Sequence, residues 1–170
     1  LSGIRRLLTG TLYDTGTLHE LVREELGPDA RDWTLNDAPI DLLITAKRVA
    51  DGMPWYFVRD NPRNSCRAGG FRLSHVVTAS GAAPTYFRAW RIVPIGELID
   101  GGTGVAGNPV YQACVEAFEY TDGYRPEESV VVSLGTGKLL RRDRPTWLWP
   151  WVGWLLAELL RSPAEQQTEL

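Results

Sequence analysis

Glu97-Leu98-Ile99-Asp100-Gly101-Gly102-Thr103-Gly104-Val105-Ala106-Gly107-Asn108-Pro109-Val110 is the stretch on which the fold turns. Its first four residues read as a short strand, and the glycines that follow read as a loop. The loop closes at Asn108-Pro109. Asn is a favourable helix cap, and Pro carries a φ already set for the first helical position. Beyond it, Val110, Ala113, Cys114, Ala117 and Phe118 recur at the spacing of one helix face. Strand, loop and helix in succession are the building unit of an α/β protein.

The same alternation extends outward. Thr17-Leu18-His19-Glu20 fits a capping box and predicts a helix over about 17–26, ended by Gly27-Pro28. Leu42 to Ala46 and Trp55 to Val58 read as strands, and a helix is predicted over about 70–79. Ser129-Val130-Val131-Val132-Ser133-Leu134 reads as a buried strand running into Gly135-Thr136-Gly137. Strands so uniformly apolar require cover on both faces. The expected architecture is an α/β three-layer sandwich with a mostly parallel central sheet. The chain opens at Leu1 with no basic segment and apolar stretch of a signal peptide. That start is read as a cut, so the sheet is expected to be truncated at its N-terminal side. The location is expected to be cytoplasmic.

The composition is that of a globular domain, 44% hydrophobic and 23% charged over 170 residues. Eighteen basic against 21 acidic residues leave a net charge of −3. Such a balance offers no electrostatic reason to bind nucleic acid. Of the two cysteines, Cys66 and Cys114, the second lies on the apolar helix face and is expected to be a buried free thiol. His19 and His75 are far apart in sequence and lack partners at metal-ligand spacing, so no metal and no cofactor is expected. Residues 1–140 form the expected domain, and 141–170 an extension. In the extension Trp147, Trp149, Trp151 and Trp154 lie beside Leu155, Leu156, Leu159 and Leu160, in a stretch too short to span a bilayer. Indole suits a half-wet site, so these tryptophans are expected either to touch a membrane surface peripherally or to pack on the sheet.

Three segments in register carry a family resemblance. They are Ala79-Ser80-Gly81-Ala82-Ala83-Pro84-Thr85-Tyr86-Phe87, then Asp100-Gly101-Gly102 followed by Asn108-Pro109, then Ser133-Leu134-Gly135-Thr136-Gly137. Together they resemble the A-S-x-A-x-P-x-x-F, D-G-[GA] with N-P, and S-L-G-T-G motifs of the patatin-like phospholipases, over roughly Tyr13 to Lys138. The resemblance implies hydrolysis of lipid esters by a Ser–Asp dyad with Asp100 as its aspartate. Gly101 and Gly102 would be the supporting glycine loop, Asn108 and Pro109 the helix cap after it, and a lipid ester the partner. The chain departs from the family pattern at the nucleophile, because no G-x-S-x-G elbow occurs. Ser133 is the nearest serine in a comparable setting, but Val131 stands where the elbow needs its first glycine. Gly69-Gly70-Phe71-Arg72 imitates part of the family's oxyanion loop in the wrong place and reads as a loop into a helix.

Two other classes compete. Gly102, Gly104 and Gly107 match G-x-G-x-x-G, the fingerprint of a dinucleotide-binding fold. That motif should open the helix itself and be followed about 20 residues on by an acidic residue closing the next strand. Here Asn108-Pro109 opens the helix, and the next strand ends in Ser133-Leu134-Gly135. The third class is a non-catalytic remnant that binds lipid or a partner, which the missing nucleophile favours. A glycine-rich loop and a G-x-S-x-G encoded ahead of Leu1 would separate the enzyme from the remnant.

Overall fold

Two short connections decide the sheet. Strand β1 (Leu43–Arg48) turns back through residues 49–53 into β2 (Pro54–Val58). Strand β3 (Trp90–Ile92) turns through residues 93–95 into β4 (Gly96–Asp100). Connections this short can only return a strand antiparallel, since a parallel pair needs a crossover of about a dozen residues or more. β1 also pairs with β4 antiparallel, giving the order β2-β1-β4-β3. The α/β class expected from the sequence therefore holds, but the mostly parallel sheet does not, because every pairing among the described residues is antiparallel. These coordinates are a computed structural model that describes residues 10–63, 68–103, 107–134 and 151.

The register sorts the side chains onto two faces. Ala46 lies opposite Trp55 and Asp100, and Ile44 opposite Phe57. This face carries the core, in which Phe57, Ala46 and Leu98 are fully buried with Leu73, Val76 and Ala79 of helix α2 (Leu73–Ser80). Phe71 meets Phe57 edge-on at 6.0 Å, a favoured aromatic geometry. Helix α1 (Thr15–Ala30) packs on α2. Its helical backbone breaks at Gly27, where φ is +73° and Pro28 follows, as the Gly-Pro pair foretells. The start differs from the expected capping box. Asp14 caps the helix by accepting the Thr17 N–H at 2.9 Å, so the helix begins ahead of Thr17. A carboxylate at this end also meets the positive pole of the helix dipole.

The opposite face of β1 and β2 presents Leu43, Tyr56 and Val58 toward helix α3 (Val110–Val115), across a cavity of about 410 Å³. α3 runs on into a wider π-helical turn, Glu116–Tyr120, where the Thr121 hydroxyl donates to the Glu116 carbonyl at 3.0 Å. The predicted apolar face is real, but it is not core. Val110, Ala113, Cys114, Ala117 and Phe118 line a second cavity, of about 400 Å³, together with residues 129–134. Cys114 is accordingly half-buried and free, rather than fully enclosed.

The predicted buried strand over 129–134 is a further correction. The segment is extended, but it pairs with no strand among the described residues, and Val130 and Leu134 are 89% and 91% exposed. Its apolar pattern anticipates neighbours on both sides, whereas here α3 lies along one side only. The dinucleotide reading also loses its frame, since both neighbours of β4 run antiparallel to it and the fingerprint belongs to a parallel βαβ unit. Gly104, Gly135, Thr136, Gly137, Cys66, Trp147, Trp149 and Trp154, and nearly all of the 141–170 extension, lie outside the described residues. Trp151 is half-buried and helical.

This arrangement separates two valine-type and aromatic positions that look alike in sequence. Phe57→Ala should cost about 3–5 kcal/mol of unfolding free energy in a denaturant titration, as expected for a large buried aromatic. Val131→Ser should move it by no more than about 0.5 kcal/mol, the range of surface substitutions. A loss of about 2 kcal/mol or more at Val131 would show that the segment is buried after all.

Candidate functional site

β4 delivers Asp100 to its C-terminal end, where the strand meets the end of α2. The last residues of α2 have spare carbonyls, because a helix leaves its final C=O groups without internal partners. β4 and the turn after it use this end. The Asp100 N–H donates to the Ala82 carbonyl at 3.2 Å, and the Gly101 N–H to the Ser80 carbonyl at 3.3 Å. On the other side Asp100 is paired with Ala46 of β1. The backbone that carries the half-buried Asp100 side chain is therefore held from the helix and from the sheet.

The turn itself is closed by the aspartate. Its Oδ1 accepts the Gly102 N–H at 2.7 Å, and its carbonyl accepts the Thr103 N–H at 3.2 Å. This is the Asx geometry that Asp readily adopts before glycine. Oδ2 takes no hydrogen bond among the described residues. One carboxylate oxygen is thus engaged in the turn, and the other has no hydrogen-bond partner among the described residues.

The two glycines after Asp100 have different physical grounds. A Cβ on Gly101 would collide with the carbonyl oxygen and the hydroxyl of Thr45 on β1. A Cβ on Gly102 would stand 3.1 Å from Asp100 Oδ1, inside the turn's own hydrogen bond. Gly101 thus permits a close approach of the backbone to β1. Gly107 returns the loop upon itself, since its Cβ would meet the Gly102 carbonyl oxygen at 3.1 Å. Asn108 follows directly, and its Oδ1 accepts the Val110 N–H at 3.3 Å. Pro109 occupies the cap position and α3 starts at Val110, one residue later than the sequence suggests. Asn108 and Pro109 both line the second cavity, beside residues 129–134.

Asp100, Gly101 and Gly102 are therefore one turn, tied to Asn108 and Pro109 through the contact of Gly102 with Gly107. Three participants escape sequence reasoning. Ser80 and Ala82 act through backbone carbonyls, although the small residues around them announce close packing. Thr103 has a buried hydroxyl without a hydrogen bond among the described residues, and nothing in its sequence neighbourhood marks it. The described residues contain no group of three or more His, Cys, Asp or Glu side chains able to hold a metal ion.

No family model matches the chain. It is 29% identical over 135 residues to a cGAMP-activated phospholipase of Vibrio cholerae, covering 77% of this chain and 37% of that protein. It is 28% identical over 128 residues to patatin-like protein 2 of Oryza sativa, covering 71% of this chain and 30% of the relative. A shorter match, 46% identical over 68 residues, is to the 85/88 kDa calcium-independent phospholipase A2 of Rattus norvegicus, covering 35% of this chain and 8% of that protein. These relatives support a patatin-like phospholipase family, with partial coverage of this chain. The chain spans well under half the length of each of them.

Gly101→Ala should destabilise the fold by about 1–3 kcal/mol, the cost of overpacking a tight site. Gly70→Ala faces open space and should leave stability unchanged or raise it by up to about 1 kcal/mol. Thermal midpoints of the two variants beside the parent check this. Equal midpoints for all three would show that the turn does not press on β1.

Proposed function

We propose that this chain is the aspartate-bearing part of a patatin-like lipid acyl hydrolase, and that Asp100 is the general base of a Ser–Asp dyad. The observation that carries the reading is the state of the Asp100 carboxylate. It stands at a strand end, with Oδ1 spent on its own turn and Oδ2 open among the described residues. The relatives named phospholipases support a phospholipid ester as the substrate class, and acylglycerol esters are proposed beside it.

The chemistry runs in two halves. A serine hydroxyl gives its proton to Asp100 Oδ2 while its oxygen bonds to the ester carbonyl carbon. The tetrahedral intermediate then expels the alcohol, which takes the proton from Asp100, and leaves an acyl-serine. Water next gives a proton to Asp100, attacks the acyl carbon and releases the carboxylic acid, and the serine recovers its hydrogen. The serine belongs to a G-x-S-x-G elbow that the 170 residues do not contain, so by themselves they are proposed to be inert. As part of the same proposal the enzyme is cytoplasmic, and its Trp-rich extension either touches a lipid surface or packs on the sheet.

In a protein that carries the elbow, Asp100→Asn should lower the turnover number on a short-chain ester by about 10²–10⁴-fold, the span of general-base assistance. The amide oxygen can still accept the Gly102 N–H, so the thermal midpoint should stay near that of the parent. Asp122→Asn serves as the control, since Asp122 is 80% exposed and pairs with Arg63 at the surface, at 3.0 Å. An Asp100→Asn protein that melts normally and keeps more than about a tenth of the activity lies outside that span and rules out the role.

A further inference from the structure

His19 and His75 are separated by more than fifty positions in sequence, yet the fold brings their rings into tilted contact. Their ring centroids are 4.5 Å apart, and the indole of Trp90 lies 4.8 Å from His19 and 5.6 Å from His75. Each ring comes from a different element: His19 from α1, His75 from α2 and Trp90 from β3. The cluster is therefore one place where α1 meets the rest of the structure, beside the two hydrogen bonds between Thr15 and Arg88.

Hydrogen bonds define the proton positions. The Trp90 Nε1–H is a donor only, so His75 Nδ1, 3.1 Å away, must accept and carries no proton. The Thr78 hydroxyl spends its hydrogen on the Ser74 carbonyl at 2.7 Å. His19 Nδ1, 3.0 Å from the same hydroxyl oxygen, is then the donor. A proton added to His75 at Nδ1 would put two N–H groups nose to nose and end the bond to Trp90. A proton added at both rings would place two like charges in ring contact.

The charged surroundings point the same way. His75 lies below its ordinary value because of burial, then His19, Arg72 and Arg23. Arg72 is itself paired with Asp32 at 2.9 Å. Burial also lowers His19, against the opposing pull of Glu20 and of the Ser74 carbonyl, with Arg23 adding to the depression. β3 brings Trp90 to the cluster.

We infer that the His19–His75–Trp90 cluster is an acid-sensitive latch, closed when both imidazoles are neutral and opened by protonation, which releases α1 from α2 and β3. The unfolded chain binds protons near the ordinary histidine value of about 6.5, whereas the folded cluster resists them. The latch contributes its full stability above that pH and loses it as the pH falls through the folded-state values. The consequence reaches the candidate site, because the last residue of α2, Ser80, accepts the Gly101 N–H, and Ala82, just past the helix, accepts the Asp100 N–H. The latch is independent of any role of Asp100 in catalysis.

The test is an NMR titration of the 170-residue chain. It follows the His19 and His75 ring protons, together with amide protection factors along α1, from about pH 7.5 to about pH 5. Both imidazoles should titrate below the ordinary value, and protection across α1 should fall on the order of tenfold or more, as expected when a buried hydrogen bond is lost. His75→Gln offers Trp90 an amide oxygen and cannot gain a proton, so it should flatten the acid response and keep α1 protected at neutral pH. If that variant does not fold, the parent titration decides alone. His75 titrating at or above the ordinary value would overturn the latch. So would α1 protection that stays constant while His75 titrates, or an acid response that survives intact in His75→Gln.

Discussion

The constraint on which this structure depends is the absence of room at Gly101. The backbone there passes so close to β1 that any side chain would strike the Thr45 carbonyl and hydroxyl. The adjacent N–H groups dock on the end of α2 at the same time. Glycine lets the strand end sit between the sheet and the helix terminus, and this contact fixes where Asp100 emerges. Replacing either support would leave the backbone of the aspartate held from one side only. The candidate site thus depends on backbone packing before it depends on any side-chain chemistry.

The sheet illustrates how far local pattern reaches. Leu42 to Ala46 and Trp55 to Val58 announce strands through apolar and β-branched content, and both form, the first over Leu43–Arg48. Their relative direction depends instead on the length of the connections, which leave no space for a crossover. The three-layer parallel sandwich is an inference from class, and the short turns at 49–53 and 93–95 contain the information that overturns it. Helix α3 teaches a related lesson. Its apolar period is legible, but the period says only that one face is apolar. What covers that face depends on the placement of residues 129–134, whose valines stand exposed in this chain. The start of α1 is a simpler case, since an aspartate three residues ahead of Thr17 is the stronger acceptor and takes the cap.

At the candidate site, the residues bearing the motif are legible, and the partners that hold them are not. Asp100, Gly101, Gly102, Asn108 and Pro109 stand out because they match the D-G-[GA] and N-P motifs of the family that the chain resembles. Ser80 and Ala82 contribute carbonyls, which every residue possesses, so no residue type could reveal them. The pairing of His19 with His75 is equally silent in sequence, because it arises from the packing of α1 on α2 and has no spacing of its own. Both belong to tertiary structure, where contacts between elements determine what a given side chain meets.

The central claim is that Asp100 activates a serine supplied by another part of the same protein. The most direct measurement is the rate at which a serine-directed phosphonate labels a protein carrying the G-x-S-x-G elbow, with and without Asp100→Asn, and the site of the label read by peptide mass spectrometry. The account predicts one label, on the elbow serine, formed at least about 10²-fold more slowly in the variant. Labelling of Ser80 or Ser133, or an unchanged labelling rate in Asp100→Asn, would contradict it.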